Sequence, residues 1–459
     1  MHLLSVSSWR LLSSRLAPLC LRTLSGEAAV SISFEDGHAF RLKQTREILR
    51  ALAVFRMCSF PFLVNNSMKL MEVSRLLLRQ RLFALLMKST AYGQFVAGET
   101  MPEIRFTMEK LSMMGMRPML AVPIEEDLGE MKTGEPWYNQ NLETMLECVK
   151  ISHSGSKVTY PMMQLKVTAL LSAELCTKIT MLLTDSQLRE KHFGLDCIVR
   201  ALEGQDVNFP SLSEGETQHF LCAMRRLNRV GEYAREHKVR VLVDAEYTYI
   251  NPTLTLVTLA MMKKFNQSEP WIWNTYQCYL KDSFSLLSQD LDLAAREGFA
   301  FGVKLVRGAY MDKERKLAKE QGYPDPVHKS WEDTNRSYHK SLNRMLEMAA
   351  QDRKRYNLIV ATHNEESVKH AIDRMKALGI SKDAGSVCFG QLLGMCDHVS
   401  LTLGQHGFAI YKSIPYGPIN DVLPYLVRRA QENRTVLQGI RKERDLLRRE
   451  LWRRLLRRT

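Results

Sequence analysis

The pattern of apolar and polar positions divides the chain into two parts. From about residue 41 to residue 148, apolar residues recur at spacings of three and four, for example in the run 74–95, as expected for amphipathic helices. No convincing strand stands out in this part of the sequence. We therefore predict that residues 27–155 form a helical N-terminal region.

Beyond residue 155 the pattern changes to short β-rich segments, each followed by a longer helical stretch. Strands that alternate with helices over roughly 270 residues predict a parallel β/α architecture, and a closed barrel of eight strands is its natural form. Seven strands can be identified, and the eighth is expected to be hidden in irregular sequence. The seven segments are 162–169, 239–244, 271–277, 302–306, 358–362, 387–392 and 408–414.

Polar side chains stand at the ends of all seven predicted strands. In barrels of this kind, functional groups collect at the carboxyl ends of the strands and in the loops that follow them. One polar strand end is often structural, but seven on one face predict a site. These residues are Lys166, Asp244, Gln277, Arg307, His363 with Asn364, Gln391 and Ser413.

The segment 302–314 indicates a bulky ligand next to a strand end. Gly308 and Ala309 have little or no side chain, so the backbone can come close to such a ligand. Lys304 and Arg307 provide positive charges beside it. The segment therefore predicts a binding site for a large group.

A pair of arginines, Arg428 and Arg429, follows a Pro-Tyr-Gly-Pro turn in the segment 416–433. If the helix that carries them lies over the barrel mouth, both guanidinium groups can bind one carboxylate. Otherwise the pair belongs to a solvated helix face.

The composition is that of a globular chain, with 45% hydrophobic and 25% charged residues. It excludes a largely disordered protein and a collagen-like repeat. The longest clean apolar stretch, 254–262, is too short to cross a bilayer. Nine single cysteines without a C-x-x-C motif favour a reducing compartment. Dinucleotide, P-loop, zinc-protease and nucleophile-elbow motifs are missing from the sequence, and no metal site is expected.

The net charge of +14 is concentrated at the two ends of the chain. Residues 1–26 are rich in Ser, Leu and Arg and carry no acid, which favours a mitochondrial targeting segment over a secretory signal. Residues 434–459 are expected to form a basic helical tail, which either contacts an anionic membrane surface or is a solvated or disordered end. The middle of the chain carries only about +5, so nucleic-acid binding is not expected.

Seven motifs, all in the same order between about residues 160 and 433, resemble the proline dehydrogenase family, and most closely its hydroxyproline-oxidising branch. The resemblance implies FAD as the cofactor. It also implies a distorted (βα)8 TIM-type barrel over residues 156–433, with a C-terminal helix over the barrel mouth. The motifs are LKVTAL, DAE, NTYQCYLK, KLVRGAY, ATHN, FGQLLGM and PYLVRRAQEN.

The resemblance implies roles for individual residues. Lys166, Arg428 and Arg429 would bind the substrate carboxylate, and Asp244 would pair with Lys166 and with arginine side chains. The walls of the substrate pocket would be Tyr310, Leu392, Ser413 and Tyr425. The residues that would contact FAD are Gln277, Lys304, Val306, Arg307, Gly308, Ala309, Thr362, His363, Asn364, Gln391 and Glu432.

Three positions depart from the family pattern. Lys304 stands where bacterial members usually have Arg, and either cation can stabilise reduced flavin. Gly390 replaces a usual Gln, so one flavin contact is missing or is taken over by Gln391. Ser413 replaces the Tyr of proline-specific members, which leaves room for a ring hydroxyl and a hydrogen-bonding partner for it. Ser413 could also simply widen the pocket.

The resemblance, together with Ser413, implies the FAD-dependent oxidation of trans-4-hydroxy-L-proline to 1-pyrroline-3-hydroxy-5-carboxylate, by hydride transfer from C5 to the flavin N5. The electrons would pass to a membrane quinone at the matrix side of the mitochondrial inner membrane, and a peripheral membrane contact is a further expectation. Three alternatives stay open. They are a dehydrogenase acting mainly on L-proline, a Schiff-base aldolase using Lys166, and a non-enzymatic protein that binds RNA or a membrane through its basic ends.

Overall fold

The computed structural model describes residues 32–122, 134–154, 159–435 and 437–456, except for the side chains of residues 432–440. The predicted targeting segment, residues 1–26, lies outside these ranges. Within the described ranges, every helix is too short or too polar to span a bilayer. Residues Phe34–Thr459 form one compact unit, which is described below.

The unit is built around a closed barrel of eight parallel strands, in which each strand pairs with the next and the last pairs with the first. The predicted (βα)8 architecture is therefore confirmed. The strands are β1 (Arg117–Ala121), β2 (Met162–Leu165), β3 (Arg240–Val243), β4 (Ile272–Gln277), β5 (Phe301–Val306), β6 (Tyr356–Ala361), β7 (Val387–Leu392) and β8 (Ile410–Pro415).

The eighth strand lies where the sequence pattern predicted only helices. β1 pairs with both β2 and β8 and so closes the barrel. Its sequence, RPMLA, has no β-branched residue and contains Pro118, which cannot donate a hydrogen bond to a ladder. Both properties argue against a central strand. The expectation that residues 27–155 are wholly helical was thus wrong, and the barrel begins at Arg117 and not after residue 155.

The second strand is shorter than predicted. β2 ends at Leu165, and Val167–Ala169 form a 3-10 turn instead of continuing the strand to residue 169. Because the chain leaves the barrel wall at this point, Lys166 lies directly at the carboxyl end of the strand.

Six described helices precede the barrel, after a short 3-10 helix at His38–Leu42. The first and the last of the six begin with a capping box, formed by Gln44 with Glu47 and by Thr100 with Glu103. The helices are α1 (Thr45–Cys58), α2 (Pro61–Asn65), α3 (Ser67–Leu77), α4 (Gln80–Ser89), α5 (Ala91–Phe95) and α6 (Met101–Met113).

Further helices follow the strands. Between β1 and β8 they are α7 (Glu135–Ser154), α8 (Ala173–Leu182), α9 (Ser186–His192), α10 (Leu195–Leu202), α11 (Glu214–Glu236), α12 (Asn251–Phe265), α13 (Ser283–Glu297), α14 (Met311–Gln321), α15 (Trp331–Gln351), α16 (Glu365–Ala377) and α17 (Asp397–Gln405). After β8 the chain forms α18 (Ile419–Thr435) and α19 (Leu437–Leu456).

Mostly large side chains fill the barrel interior on the side away from the carboxyl ends of the strands. The central one is Trp273, and Gly302 on the next strand makes room for it, since a Cβ at this glycine would lie 2.4 Å from the Trp273 ring. This layer leaves the carboxyl end of the barrel for polar groups. Its members are Met119, Met162, Leu242, Trp273, Ile359, Cys388, Ala409 and Tyr411.

Helix α18 is fixed by a buried cluster that joins it to the N-terminal helices, which we call the helical cluster. The backbone ties the same parts together, because the N–H of Ala97 donates to Pro415 (2.8 Å) and the N–H of Gly417 donates to Gly98 (3.0 Å). The helical cluster consists of Val54, Cys58, Phe83, Met87, Tyr92, Phe95, Val96, Met395, Ile419, Val422, Tyr425 and Leu426.

The C-terminal helix α19 is a packed part of the fold. Leu446 and Leu447 are buried. The buried carboxylate of Glu443 accepts hydrogen bonds from the N–H groups of Cys396 (2.9 Å) and Asp397 (2.8 Å) at the start of α17. Of the two alternatives for the tail, a solvated or disordered end therefore does not hold for the part of α19 around Glu443, Leu446 and Leu447.

Candidate active site

An ion pair between Asp244 and Lys304 lies at the carboxyl end of the barrel. Asp244 follows β3, and Lys304 lies on the inner side of β5, two strands away. The Nζ atom of Lys304 is 2.6 Å from Oδ1 of Asp244, with the two side chains 10% and 24% exposed. The resemblance implied Lys166 and arginines as partners of Asp244, so this pairing was not predicted. It fixes the Lys304 ammonium group in the barrel mouth.

A second acid at this end, Glu246, was not among the predicted site residues. It is buried, and it accepts a hydrogen bond from Oγ1 of Thr168 at 2.8 Å. Burial raises the pKa of Glu246, and the positive charge of Lys166 opposes this rise. Lys166 therefore lies close to Glu246. The residue could have been found from the sequence, because it ends the DAE motif.

Tyr310, in the loop after β5, faces the same group of charges. Its ring lies against Tyr247, with 4.4 Å between the ring centroids. Burial raises the pKa of the Tyr310 hydroxyl above its usual range. The positive charge of Arg428 opposes this rise, whereas the negative charges of Glu246 and Asp244 add to it. Arg428 thus reaches from α18 towards the end of β5.

Arg429 lies close to the end of β6. It is buried, and its guanidinium carbon is 4.9 Å from the centroid of the Tyr425 ring. Burial lowers the pKa of His363 to about 3, and the charges of Lys412 and Arg429 add to this effect. His363 is therefore neutral near pH 7, and its Nε2 accepts the N–H of Leu392 at 3.1 Å. The two arginines of α18 thus lie near the residues that follow β5 and β6, at the carboxyl end of the barrel.

Ser413 lies inside the barrel on β8. Its hydroxyl donates to Oε1 of Gln164, on β2, at 2.6 Å. A hydroxyl oxygen that donates one hydrogen bond can still accept others, so Ser413 keeps an acceptor for a ligand. Gln164 was not predicted, although it shares a strand face with Lys166. The other two predicted pocket residues belong to the wall formed by the helical cluster, with Tyr425 buried in it and Leu392 packed against it.

Two buried polar atoms at the ends of β4 and β5 have no hydrogen-bond partner within the described ranges. They are Oε1 of Gln277 and Nη2 of Arg307. The other end of each side chain is anchored. Nε2 of Gln277 donates to the carbonyl of Glu246 at 2.9 Å, and Nη1 of Arg307 donates to Oγ of Ser367 at 2.8 Å. Each side chain therefore offers one polar atom to a ligand.

The turn after β5 carries little side-chain bulk. Val306 is half-buried at the end of the strand, while Gly308 and Ala309 are exposed. A Cβ at Gly308 would lie 3.2 Å from the sulfur of Met311, which is closer than ordinary packing allows. A large ligand can therefore approach the backbone at this turn.

The predicted residues after β6 are held by contacts within the fold. Oγ1 of Thr362 accepts the N–H of Asn364 at 3.0 Å, and Asn364 caps α16 by accepting the N–H of Ser367 at 2.8 Å. The side chain of Glu432, which lies on α18, is outside the described part of the chain.

Gln391 faces away from the barrel interior. Its side chain donates to the carbonyl of Thr362 at 3.1 Å and accepts a hydrogen bond from Ser400 on α17. Successive strand residues point to opposite sides, and Gly390 is the residue that faces the interior. Gln391 therefore does not take the place of an inward-facing residue at position 390, contrary to the expectation.

A buried lysine on the outer side of β8 was also missed. The Nζ atom of Lys412 is 2.8 Å from Oδ1 of Asp397 and 2.7 Å from the carbonyl oxygen of Met395. Burial alone would raise the pKa of Asp397, but Lys412 and Lys43 hold it below its usual range. This network fixes the loop between β7 and α17, next to the helical cluster.

Comparison with known sequences gives a family match over most of this chain. Residues 107–442 match the profile described as proline dehydrogenase. Hydroxyproline dehydrogenase from Xenopus laevis is 61% identical over 431 residues, which cover 94% of this chain and 92% of that protein. Proline dehydrogenase 1, mitochondrial, from Drosophila melanogaster is 33% identical over 558 residues, with coverages of 93% and 81%.

Comparison with solved structures gives a similar fold in a larger protein. Proline utilization A from Bdellovibrio bacteriovorus, inactivated by N-propargylglycine, matches with a TM-score of 0.62 at 21% identity. The match covers 95% of this chain and 42% of that chain. At this level of identity the similarity concerns the fold alone.

Proposed function

This chain belongs to the proline dehydrogenase family, and we propose that it oxidises trans-4-hydroxy-L-proline with FAD as its cofactor. The family match, residues 107–442, includes all eight strands and the whole of α18. As a member of this family the chain is an oxidoreductase of the hydroxyproline and proline dehydrogenase type. The cofactor, the choice of hydroxyproline and the electron acceptor are proposals.

The observation that carries the proposal is that Arg428 and Arg429 lie near residues at the carboxyl ends of two strands. Their charges act on Tyr310 after β5 and on His363 after β6. Two guanidinium groups at one end of a barrel suit the carboxylate of an amino acid. We assign both arginines, together with Lys166, to the substrate carboxylate. Tyr310, Leu392, Ser413 and Tyr425 would surround the ring.

The residues after β4 and β5 fit a flavin cofactor. Oε1 of Gln277 and Nη2 of Arg307 are buried polar atoms without a hydrogen-bond partner in the described part of the chain, and buried polar atoms are almost always paired. When bound, FAD would supply the two-electron oxidant that takes up the hydride lost from C5 of the substrate ring. Lys304, held by Asp244, would keep a positive charge in this part of the site. Val306, Gly308, Ala309, Thr362, His363, Asn364 and Glu432 would hold the rest of the cofactor.

Oxidation requires a substrate nitrogen that has lost its proton. The positive charges of Arg428, Arg429 and Lys166 would lower the pKa of the substrate amine, because they disfavour its charged form. The nitrogen lone pair can then form the C=N bond as a hydride leaves C5. Loss of the remaining N–H proton to solvent gives 1-pyrroline-3-hydroxy-5-carboxylate.

Ser413 supports hydroxyproline over proline as the substrate. The side chain is small, and its oxygen can accept a hydrogen bond although it already donates one to Gln164. The relative that is 61% identical is named hydroxyproline dehydrogenase, and the relative that is 33% identical is named proline dehydrogenase. An enzyme that acts mainly on L-proline is the second candidate. Family membership argues against the Schiff-base aldolase that Lys166 alone suggested.

We propose a membrane quinone as the electron acceptor and the matrix side of the mitochondrial inner membrane as the location. The support is the Drosophila melanogaster relative, whose name includes the word mitochondrial, and the acid-free, Arg-containing N-terminal sequence.

An absorbance spectrum of the purified protein tests the proposal. We expect flavin bands that bleach when trans-4-hydroxy-L-proline is added without oxygen, and more slowly with L-proline. In Arg429→Met the bands should remain while bleaching requires at least about tenfold more substrate, because a charge-assisted hydrogen bond is lost. A colourless protein that cannot be reconstituted with FAD would contradict the proposal.

A further inference from the structure

Helices α2, α3 and α4 present an unusual number of large apolar side chains to solvent. Leu76 is 85% exposed and Leu77 79%, both at the end of α3, and Leu85 on α4 is 65% exposed. Single exposed apolar residues are normal, but a group on consecutive helices marks an interaction surface. We call this group the leucine surface. It consists of Phe60, Phe62, Val73, Leu76, Leu77, Leu82, Leu85 and Leu86.

Helix α4 has two apolar faces, and the fold uses only one of them. Phe83 and Met87, four residues apart, are buried in the helical cluster. Leu82, Leu85 and Leu86 lie on the other side and are exposed. A surface helix needs one apolar face to pack on its own protein. The second face of α4 therefore indicates a second apolar environment.

The charged residues of the segment that carries the leucine surface are almost all positive. Between residues 60 and 90 the chain has five basic residues and one acid, Glu72. Lys69, Arg75, Arg79 and Arg81 are exposed. Apolar residues interleaved with cations fit the interface of a bilayer that contains anionic lipids. A protein that bound this surface would have to present acidic groups around an apolar groove of its own.

We propose that the leucine surface docks the enzyme on an anionic lipid bilayer. This inference rests on the proposed function in one respect, because a membrane quinone explains why the enzyme would need a bilayer. The leucine surface lies close to α18, because α4 and α18 share the helical cluster. Helix α18 carries Arg428 and Arg429. Docking through α2–α4 thus puts the lipid next to the helix that covers the active site.

The test uses the full-length protein with Leu76→Ser, Leu77→Ser and Leu85→Ser combined. A matched control replaces three exposed apolar side chains on other helices, Met113→Ser, Met181→Ser and Leu286→Ser, which are 68%, 63% and 50% exposed. Co-sedimentation is measured with vesicles of phosphatidylcholine and phosphatidylglycerol, and with vesicles of phosphatidylcholine alone. Turnover is measured with a soluble dye and with a long-chain quinone in the vesicles.

We expect the leucine variant to bind mixed vesicles at least about tenfold more weakly than the wild type, and the control to bind normally. Turnover with the vesicle quinone should fall with binding, and turnover with the dye should not. Loss of vesicle binding in the leucine variant would support docking even in a preparation that oxidises no substrate. Unchanged vesicle binding would overturn the inference, as would a change of oligomeric state in the leucine variant, which would assign the surface to a second copy of this chain.

Discussion

At the level of single residues, Ser413 decides whether the pocket recognises a ring hydroxyl or only has space for it. Ser413→Ala removes the hydrogen-bonding oxygen and leaves the space. We expect kcat/KM for trans-4-hydroxy-L-proline to fall about three- to tenfold, which corresponds to one hydrogen bond, with no change for L-proline. Ser413→Tyr should abolish hydroxyproline oxidation by filling the space. An equal fall in kcat/KM for both substrates in Ser413→Ala would show that Ser413 does not recognise the ring hydroxyl.

Asp290 on α13 gives the protein a stability that depends on pH. Its Oδ2 accepts a hydrogen bond from the hydroxyl of Tyr276 at 2.7 Å. Burial nevertheless raises the pKa of Asp290 to about 6. The folded protein therefore holds this proton more tightly than the unfolded chain, in which the pKa is about 3.9. As the pH rises through this range, the free energy of unfolding falls, and above it the loss is complete.

Asp290→Asn should remove the loss of stability that follows deprotonation of Asp290. We expect the variant to be more stable than the wild type by about 1 to 2 kcal/mol near pH 7, with the difference vanishing towards about pH 4. Thermal unfolding across this pH range measures the effect. Asp292→Asn is the control, because Asp292 lies on the same helix but is exposed. A gain that is the same at every pH would show that the charge of Asp290 is not its cause.

Residues whose chemistry is local could be predicted from the sequence, and residues defined by a distant partner could not. Arg428 and Arg429 stand out as a pair in a motif. Glu246 ends the DAE motif, but its contacts with Thr168 and Lys166, about eighty residues earlier in the chain, are visible only in the folded chain. The contact of Lys412 with Asp397 likewise joins two different elements. Such contacts arise when neighbouring elements pack together, which a single strand does not encode.

At the level of elements, the repeat of strand and helix was sufficient to predict the barrel but not its first strand. Six of the eight strands contain β-branched residues, as expected of buried parallel strands. β1 contains none and includes Pro118, and its place in the barrel comes from pairing with its two neighbours, β2 and β8. β2 also lacks β-branched residues. The tail helix α19 was misjudged for a related reason. Its arginine-rich sequence hides the buried Leu446, Leu447 and Glu443.

Glu443 tests whether α19 supports the active-site side of the barrel. Its carboxylate accepts the first N–H groups of α17, which follows the loop after β7. Glu443→Ala leaves these donors without their acceptor and should lower the free energy of unfolding by about 1 to 2 kcal/mol. Glu443→Gln, which keeps one oxygen, should lose less.

Chemical denaturation of both Glu443 variants gives the comparison. Asp445→Ala is the matched control on the same helix, since its side chain is 56% exposed. It should change stability by less than about 0.5 kcal/mol. If Glu443→Ala behaves like Asp445→Ala, α19 does not cap α17 in solution.

At the level of the whole molecule, the helices before the barrel and the helix after it meet at one place. The helical cluster joins α1, α4 and α5 to α18, so residues far apart in the sequence set the position of Arg428 and Arg429. The N-terminal helices therefore help to position α18, although none of the predicted site residues lies on them.

Phe95 tests this coupling between stability and substrate binding. It is 1% exposed within the helical cluster, and Phe95→Ala should destabilise the protein by about 3 to 5 kcal/mol. Phe209→Ala is the matched control, because Phe209 is 0% exposed and packs with Phe193 and Phe220 at a site away from α18. Both variants should melt at lower temperature by similar amounts. Only Phe95→Ala should raise KM for trans-4-hydroxy-L-proline, since only this cavity lets the helix that carries Arg428 and Arg429 shift. A KM that rises equally in both variants would mean that substrate binding depends on global stability. The helical cluster would then not be what positions α18 for substrate binding.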